Sequence, residues 1–168
     1  DVAATGYALA AVLGREQPDL VLLGQQSDDG ECYTVGAIVA DHLRMPSLTQ
    51  VIKLDVLDGA LRCERQAEYG YDTVEVELPA VVSVGDAINE PRYPSLKAIM
   101  GAKKKPLQTL SAADVGIDPG RVGAEGAGAV WSGALEPPAK AAGRMIEDED
   151  TDATVAEIIA WLEARKLI

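Results

Sequence analysis

The chain has 168 residues, with 27 Asp and Glu against 15 Lys and Arg for a formal net charge of −12. That balance repels nucleic-acid phosphates and excludes nonspecific nucleic-acid binding by the chain as a whole. The length suits a single core-forming domain, and no apolar run approaches the roughly 18 residues needed to span a membrane.

His42 is the only histidine, so neither a His-based triad nor a multi-His metal site can be assembled from this chain. Cys32 and Cys63, the only cysteines, have no paired motif and read as reduced thiols. The opening residues Asp1–Thr5 lack a basic region and an apolar signal core, and they already read as helix. The expectation is a longer chain whose amino-terminal part is absent here.

Ala8, Leu9, Val12 and Leu13 fall at helical spacing, which predicts the end of an amphipathic helix over 3–15, stopped by Pro18. Asp19 to Gly24 is a short apolar run ending in glycine, the pattern of a parallel strand buried on both faces. A polar loop, Gln25 to Tyr33, leads to a second helix carrying Val35, Ile38, Val39 and Leu43. Ile52 to Val56 then alternates, Asp58-Gly59 is a strong hairpin signal, and Leu61 to Gln66 runs back. Thr73 to Leu78 alternates again, and Pro79 introduces an apolar strand, Ala80 to Val84. These elements predict an α/β fold with a doubly wound, mainly parallel sheet and an antiparallel hairpin excursion between two central strands.

Past that strand, Ser95 to Lys103 reads as a short helix and Leu107 to Leu110 as a last strand. From Gly116 to Gly143 glycine, alanine and proline dominate, and such a segment cannot build a core of its own. A helix returns with Thr154 and Glu157 as a capping box, and with an apolar stripe of Val155, Ile158, Ile159 and Leu162. The expected organisation is therefore a Rossmann-like α/β domain over 1–115. An extended arm and terminal helix over 116–168 would pack on a partner subunit.

Two segments carry candidate chemistry. The loop after the first strand lies where open α/β sheets bind ligands, beyond a strand's carboxyl end. Gly24 and Gly30 permit unusual backbone angles there. Gln26, Ser27 and Thr34 offer uncharged hydrogen-bonding groups, and the amides of Thr34 to Gly36 open a helix, where a phosphate is well placed. Asp28, Asp29 and Glu31 oppose a phosphate unless they point away. An ordinary strand-to-helix turn and a nucleotide loop both fit these residues.

The second segment, Asn89-Glu90-Pro91-Arg92-Tyr93-Pro94-Ser95-Leu96, runs on through Ile99-Met100 to Lys103-Lys104-Lys105. Two prolines stiffen it and a basic run flanks it, which suits docking better than catalysis. Leu96 reads equally as a docking anchor or a helix-core residue. Among the residues of this chain no acid, base and nucleophile constellation emerges, so no catalytic residue is assigned.

These segments resemble the β subunit of electron transfer flavoproteins. Leu22-Leu23-Gly24, Gln26-Ser27, Asp29-Gly30 and Gly36 match its nucleotide loop in order and spacing. Leu78-Pro79-Ala80-Val81-Val82, Asn89-Glu90-Pro91-Arg92-Tyr93, Ile99-Met100 and the three lysines match its docking segment. Two positions depart from the family's wording. Tyr33-Thr34-Val35 stands where Asn-Gln-Thr or Asn-Gln-Val is common, and Gln66 replaces the second acid of Glu-Arg-Glu.

The resemblance implies an electron-carrier subunit rather than an enzyme, in a heterodimer whose α subunit holds FAD. AMP, or a second FAD in relatives that bifurcate electrons, would occupy the loop formed by Gly24, Gln26, Ser27, Asp29, Gly30, Cys32, Tyr33, Thr34 and Val35. Arg92, Tyr93, Leu96, Ile99 and Met100 would meet acyl-CoA or related dehydrogenases, with a membrane quinone reductase as electron acceptor. Pro137 to Gly143 fits the arm that crosses onto the α subunit. The implied location is the cytoplasm of a bacterium or the mitochondrial matrix of a eukaryote. A universal-stress-type nucleotide-binding regulatory module shares the strand-loop-helix plan and is the alternative reading.

Overall fold

A computed structural model describes residues 1–140, 143, 145–146 and 150–168. Two compact units emerge, Asp1–Trp131 and Ser132–Ile168.

The first unit opens with α1 (Val2–Glu16), whose N-terminus is capped by the Asp1 carboxylate accepting from the Ala4 amide. Gln17 ends the helix in a left-handed conformation one residue before Pro18. Strand β1 (Leu20–Gly24) and helix α2 (Val35–Leu43) follow with the bounds that their apolar spacing predicts. Strands β2 (Ser47–Val56), β3 (Ala60–Ala67), β4 (Gly70–Glu77) and β5 (Ala80–Val84) complete an open five-stranded sheet in the order β1-β5-β2-β3-β4.

Strand β5 pairs parallel with both β1 and β2, whereas β2-β3 and β3-β4 are antiparallel hairpin pairs. The hairpin is thus a continuation of the main sheet: β2 pairs with β5 along its first half and with β3 along its second. The changeover is marked by a register shift between Val51 and Lys53 and by Gln50 at φ 58°. An irregularity there bends the strand from one partner to the next. Gly59 supplies the left-handed residue (φ 72°) that the Asp58-Gly59 turn requires.

Alternation along the strands sends two sets of side chains to opposite faces. Val21 and Val81 meet Val39 and Ala40 of α2 on one face, and α1 packs against α2. On the other face Val51, Leu61, Cys63 and Val82 are fully buried. A fully buried Val or Leu contributes about 1.5–3 kcal/mol, so these few side chains fix the register. Burial also pushes the Cys63 thiol pKa up.

Three expectations are corrected. Strand β1 is not buried on both faces, because it forms the sheet's edge and Leu22 is 57% exposed. Residues 107–110 form no strand; they follow Pro106, which has no N–H to donate, and Leu107 is 94% exposed. The terminal helix is not capped by Thr154. It begins at Thr151, and the Asp150 carboxylate accepts from the amides of Asp152 and Ala153. An Asp immediately before the first turn takes the cap before a Thr within it can.

Beyond the sheet lie α3 (Leu96–Ala102) and a run of short turns that ends in a one-turn helix, α4 (Gly123–Gly126). This run lies along α1, with long-range contacts reaching back to it. Arg15 donates to the Asp114 carbonyl, the Tyr7 hydroxyl accepts from the Asp118 amide, and Arg121 stacks 3.9 Å over the Tyr7 ring. Farther on, the Asp1 carboxylate accepts from the amides of Gly128 and Ala129. The first compact unit therefore extends to Trp131, past the boundary at 115 that composition suggests. In the second unit α5 (Thr151–Glu163) leaves Val155, Ile158 and Ile159 exposed. Residues 141, 142 and 144 of the predicted arm lie outside the described residues.

Candidate functional site

The loop from Gln25 to Thr34 leaves the carboxyl end of β1 and enters α2. Two cavities flank it. The larger, about 480 Å³, is lined by Gly24, Gln25, Gln26 and Asp28, with Val84, Gly85 and Asp86 from the end of β5. The two strand ends approach so closely that a Cβ on Gly85 would lie 3.1 Å from Oε1 of Gln25.

The smaller cavity, about 320 Å³, sits against the N-terminus of α2. Gln26, Ser27, Gly30, Cys32, Tyr33 and Thr34 line it, together with Val2 and Thr5 of α1, and no charged side chain does. Thr34 occupies the N-cap of α2 without making a side-chain cap bond. The first amides of that helix therefore keep donors to offer, at the end where the helix dipole favours an anion.

The three acids of the loop separate by position. Asp29 and Glu31 line neither cavity, whereas Asp28 lines the larger. The Ser27 hydroxyl, followed by the backbone amides of Asp29 and Gly30, holds the Asp29 carboxyl below its ordinary range. Asp29 thus braces its own loop and is directed away from the smaller cavity. Left-handed backbone falls at Glu31 (φ 43°) and Tyr33 (φ 54°), while Gly24 and Gly30 do not adopt it. That corrects the role expected of the two glycines. Gly30 instead gives room: a Cβ there would come within 3.2 Å of the Ser27 hydroxyl oxygen. Non-glycine residues in this region each store about 1–3 kcal/mol of strain and cluster at ligand clamps.

The structure brings Gly24, Gln26, Ser27, Gly30, Cys32, Tyr33, Thr34 and Val35 to the smaller cavity as one group. It adds Val2, Thr5, Gly85 and Asp86, which sequence reading missed. Gly85 and Asp86 carried a signal, because they end an apolar parallel strand just as Gly24 does.

The docking segment is separate. A 3-10 turn (Asp86–Ile88) leads out of β5, and Ser95 then caps α3 by accepting from the Ala98 amide. Helix α3 buries none of its residues. Tyr93 is 99% exposed, Leu96 75% and Met100 59%, with Ile99 also exposed. Leu96 is therefore not a core residue. Among the described residues no group of three or more His, Cys, Asp and Glu is placed to hold a metal. None of the described helices is long and apolar enough to cross a membrane.

An open α/β sheet with cavities at the carboxyl ends of its parallel strands defines the class of nucleotide-binding α/β domains. Comparison narrows the class, since residues 1–115 match the model of the electron transfer flavoprotein domain. The chain belongs to that family. It is 41% identical over 169 aligned residues to the electron transfer flavoprotein subunit beta of Mycobacterium tuberculosis, and 43% to that of Mycobacterium leprae. A further relative, the caffeyl-CoA reductase-Etf complex subunit CarD of Acetobacterium woodii, is 32% identical. All three alignments cover the whole of this chain, which spans 63–64% of the length of these relatives.

Proposed function

We propose that the chain serves as the β subunit of an electron transfer flavoprotein, an electron carrier rather than an enzyme. It would pair with an α subunit that holds most of the FAD, accept electrons from acyl-CoA or related dehydrogenases, and deliver them to a quinone reductase. Bound FAD supplies the one-electron chemistry, and the residues described here supply docking, shape and electrostatics. The observation that carries this reading is the pairing, on one family-matched chain, of a charge-free cavity at a helix N-terminus with an exposed, proline-stiffened apolar loop.

The smaller cavity suits the phosphate of AMP. Ser27 and Thr34 supply hydroxyls, the first turn of α2 supplies amides, and no carboxylate lines the wall. A phosphate is disfavoured in the larger cavity by Asp28 and Asp86, whose oxygens suit the hydroxyl donors of a ribose. A second FAD carries the same phosphate and ribose groups and fits the same division. Arg92, Tyr93, Leu96, Ile99 and Met100 form the dehydrogenase-facing surface, and the arm after Trp131 carries α5 onto the α subunit. Reduction of the flavin by an acyl-CoA dehydrogenase, measured in the protein assembled with an α subunit, tests the reading. A flavin that stays oxidised in the presence of every reduced dehydrogenase tried would remove it.

A further inference from the structure

The stretch 91–113 holds Arg92, Lys97, Lys103, Lys104 and Lys105 and no Asp or Glu, although the chain as a whole carries 27 acids against 15 bases. All 23 of its residues are exposed. Among the described residues, the ion pairs are Lys53–Glu64 and Arg62–Glu75, both on the hairpin, so none of these five cations is neutralised by an ion pair. The same stretch presents Tyr93, Leu96, Ile99 and Met100. Apolar side chains are thus framed by uncompensated positive charge, on a molecule whose remaining surface is strongly negative.

We propose that this surface selects a protein partner whose docking site is an apolar recess rimmed by Asp and Glu side chains. The inference rests on the docking reading above and adds the partner's charge to it. Positive charge gathered at the docking point of an acidic protein does two things. It attracts a complementary acidic rim across the Debye length, and the acidic remainder repels that same rim in wrong orientations. The apolar side chains then enter the recess, and they govern how long the complex lasts rather than how fast it forms. An anionic bilayer is the less suitable surface. Its charge extends in a plane and meets the acidic remainder of the chain as well as the basic stretch, whereas a protein's acidic patch matches the stretch in size.

The test follows electron transfer by stopped flow, using the protein assembled with its flavin-bearing subunit. The probe is an acyl-CoA dehydrogenase reduced by its own acyl-CoA and chosen because the unaltered protein accepts its electrons. Rates are taken from about 0.01 M ionic strength, where charges act over about 30 Å, to about 0.1 M, where they act over about 10 Å. For the unaltered protein the second-order rate should fall steeply with salt. Combining Lys103→Gln, Lys104→Gln and Lys105→Gln should lower the low-salt rate about ten-fold and flatten the salt dependence. Their melting temperature should not move, because all three side chains are exposed. Leu96→Ala should slow transfer at every salt concentration and leave the slope intact.

If Leu96→Ala impairs transfer while the lysine variant changes neither rate nor slope, docking stands and the acidic rim is overturned. If neither variant changes transfer, the docking reading itself fails. If the lysine variant instead loses binding to phosphatidylcholine–phosphatidylserine vesicles with its transfer rate unchanged, the stretch serves a membrane and the proposal is overturned.

Discussion

Gly6 of α1 faces Ile38 of α2 with no room for a side chain between them: a Cβ at position 6 would lie 2.9 Å from the Ile38 Cβ and closer still to its Cγ2. This contact sets the spacing of the two helices, and with it the placement of Val2 and Thr5 at the wall of the smaller cavity.

Gly6→Ala is expected to destabilise the protein. Overpacking costs about 1–3 kcal/mol, which outweighs the roughly 0.5–1 kcal/mol that alanine gains in a helix. Gly14→Ala on the same helix is the control. Its Cβ would meet Leu43 Cδ2 at an ordinary 3.6 Å, so the propensity gain of about 0.5–1 kcal/mol should appear as added stability. Urea denaturation of both variants checks the pair, and a stabilised Gly6→Ala would contradict the packing described.

Leu96→Ala should leave thermal stability unchanged, since the side chain is 75% exposed and α3 has no buried residue. If Leu96 is buried in a partner, its loss removes about 1.5–3 kcal/mol of contact, which is about ten-fold or more in coupling. Melting and electron transfer measured on the same preparation decide it. A large fall in melting temperature would return Leu96 to the core.

Ser27→Ala should raise the Asp29 pKa toward its ordinary 3.8, because the Ser27 hydroxyl is the largest stabiliser of that carboxylate. The sign follows from linkage: a depressed folded pKa gives stability that is present above the ordinary value and is lost as pH falls through the depressed one. The loop should therefore keep its bracing throughout the neutral range and lose it only under acid conditions below pH 3.8. NMR titration of the Asp29 carboxyl in both proteins measures the effect. An unchanged midpoint in Ser27→Ala would remove the brace.

Limited proteolysis should cut first between 132 and 140, where the chain is exposed and lacks regular structure, and leave 1–131 as a folded product. Residues 116–131 should resist cutting, because Asp1, Tyr7 and Arg121 hold them to α1. Early cleavage between 116 and 126 would place the arm's start where glycine and proline content alone suggests.

Much of the fold was legible. Val35 to Leu43 announced α2 by its spacing, Asp58-Gly59 announced the hairpin, and the apolar runs at β1 and β5 announced parallel strands. What escaped depends on contacts between residues far apart in sequence. Strand order decides that β1 is an edge and Leu22 exposed, and nothing local to Asp19–Gly24 encodes that order. The segment after 115 is held by a few polar contacts to Asp1, Tyr7 and Arg15, about 99 to 128 residues away. At the candidate site the loop itself was legible from its glycines and hydroxyls. Asp86 and Thr5 were not, because they reach the cavities only once β5 and α1 are in place. The left-handed residues fell at Glu31 and Tyr33, where a glycine would have been the readable sign.

The central claim is tested most directly by nucleotide analysis of the protein purified together with an α subunit. A yellow complex is expected, with one FAD and one further adenine nucleotide per heterodimer. Thr34→Val should deplete that second nucleotide while the flavin spectrum persists, because Thr34 stands at the head of α2 beside the charge-free cavity. A yellow complex with FAD as its sole nucleotide would contradict the cavity's assignment, and a colourless one would contradict the electron-carrier account altogether.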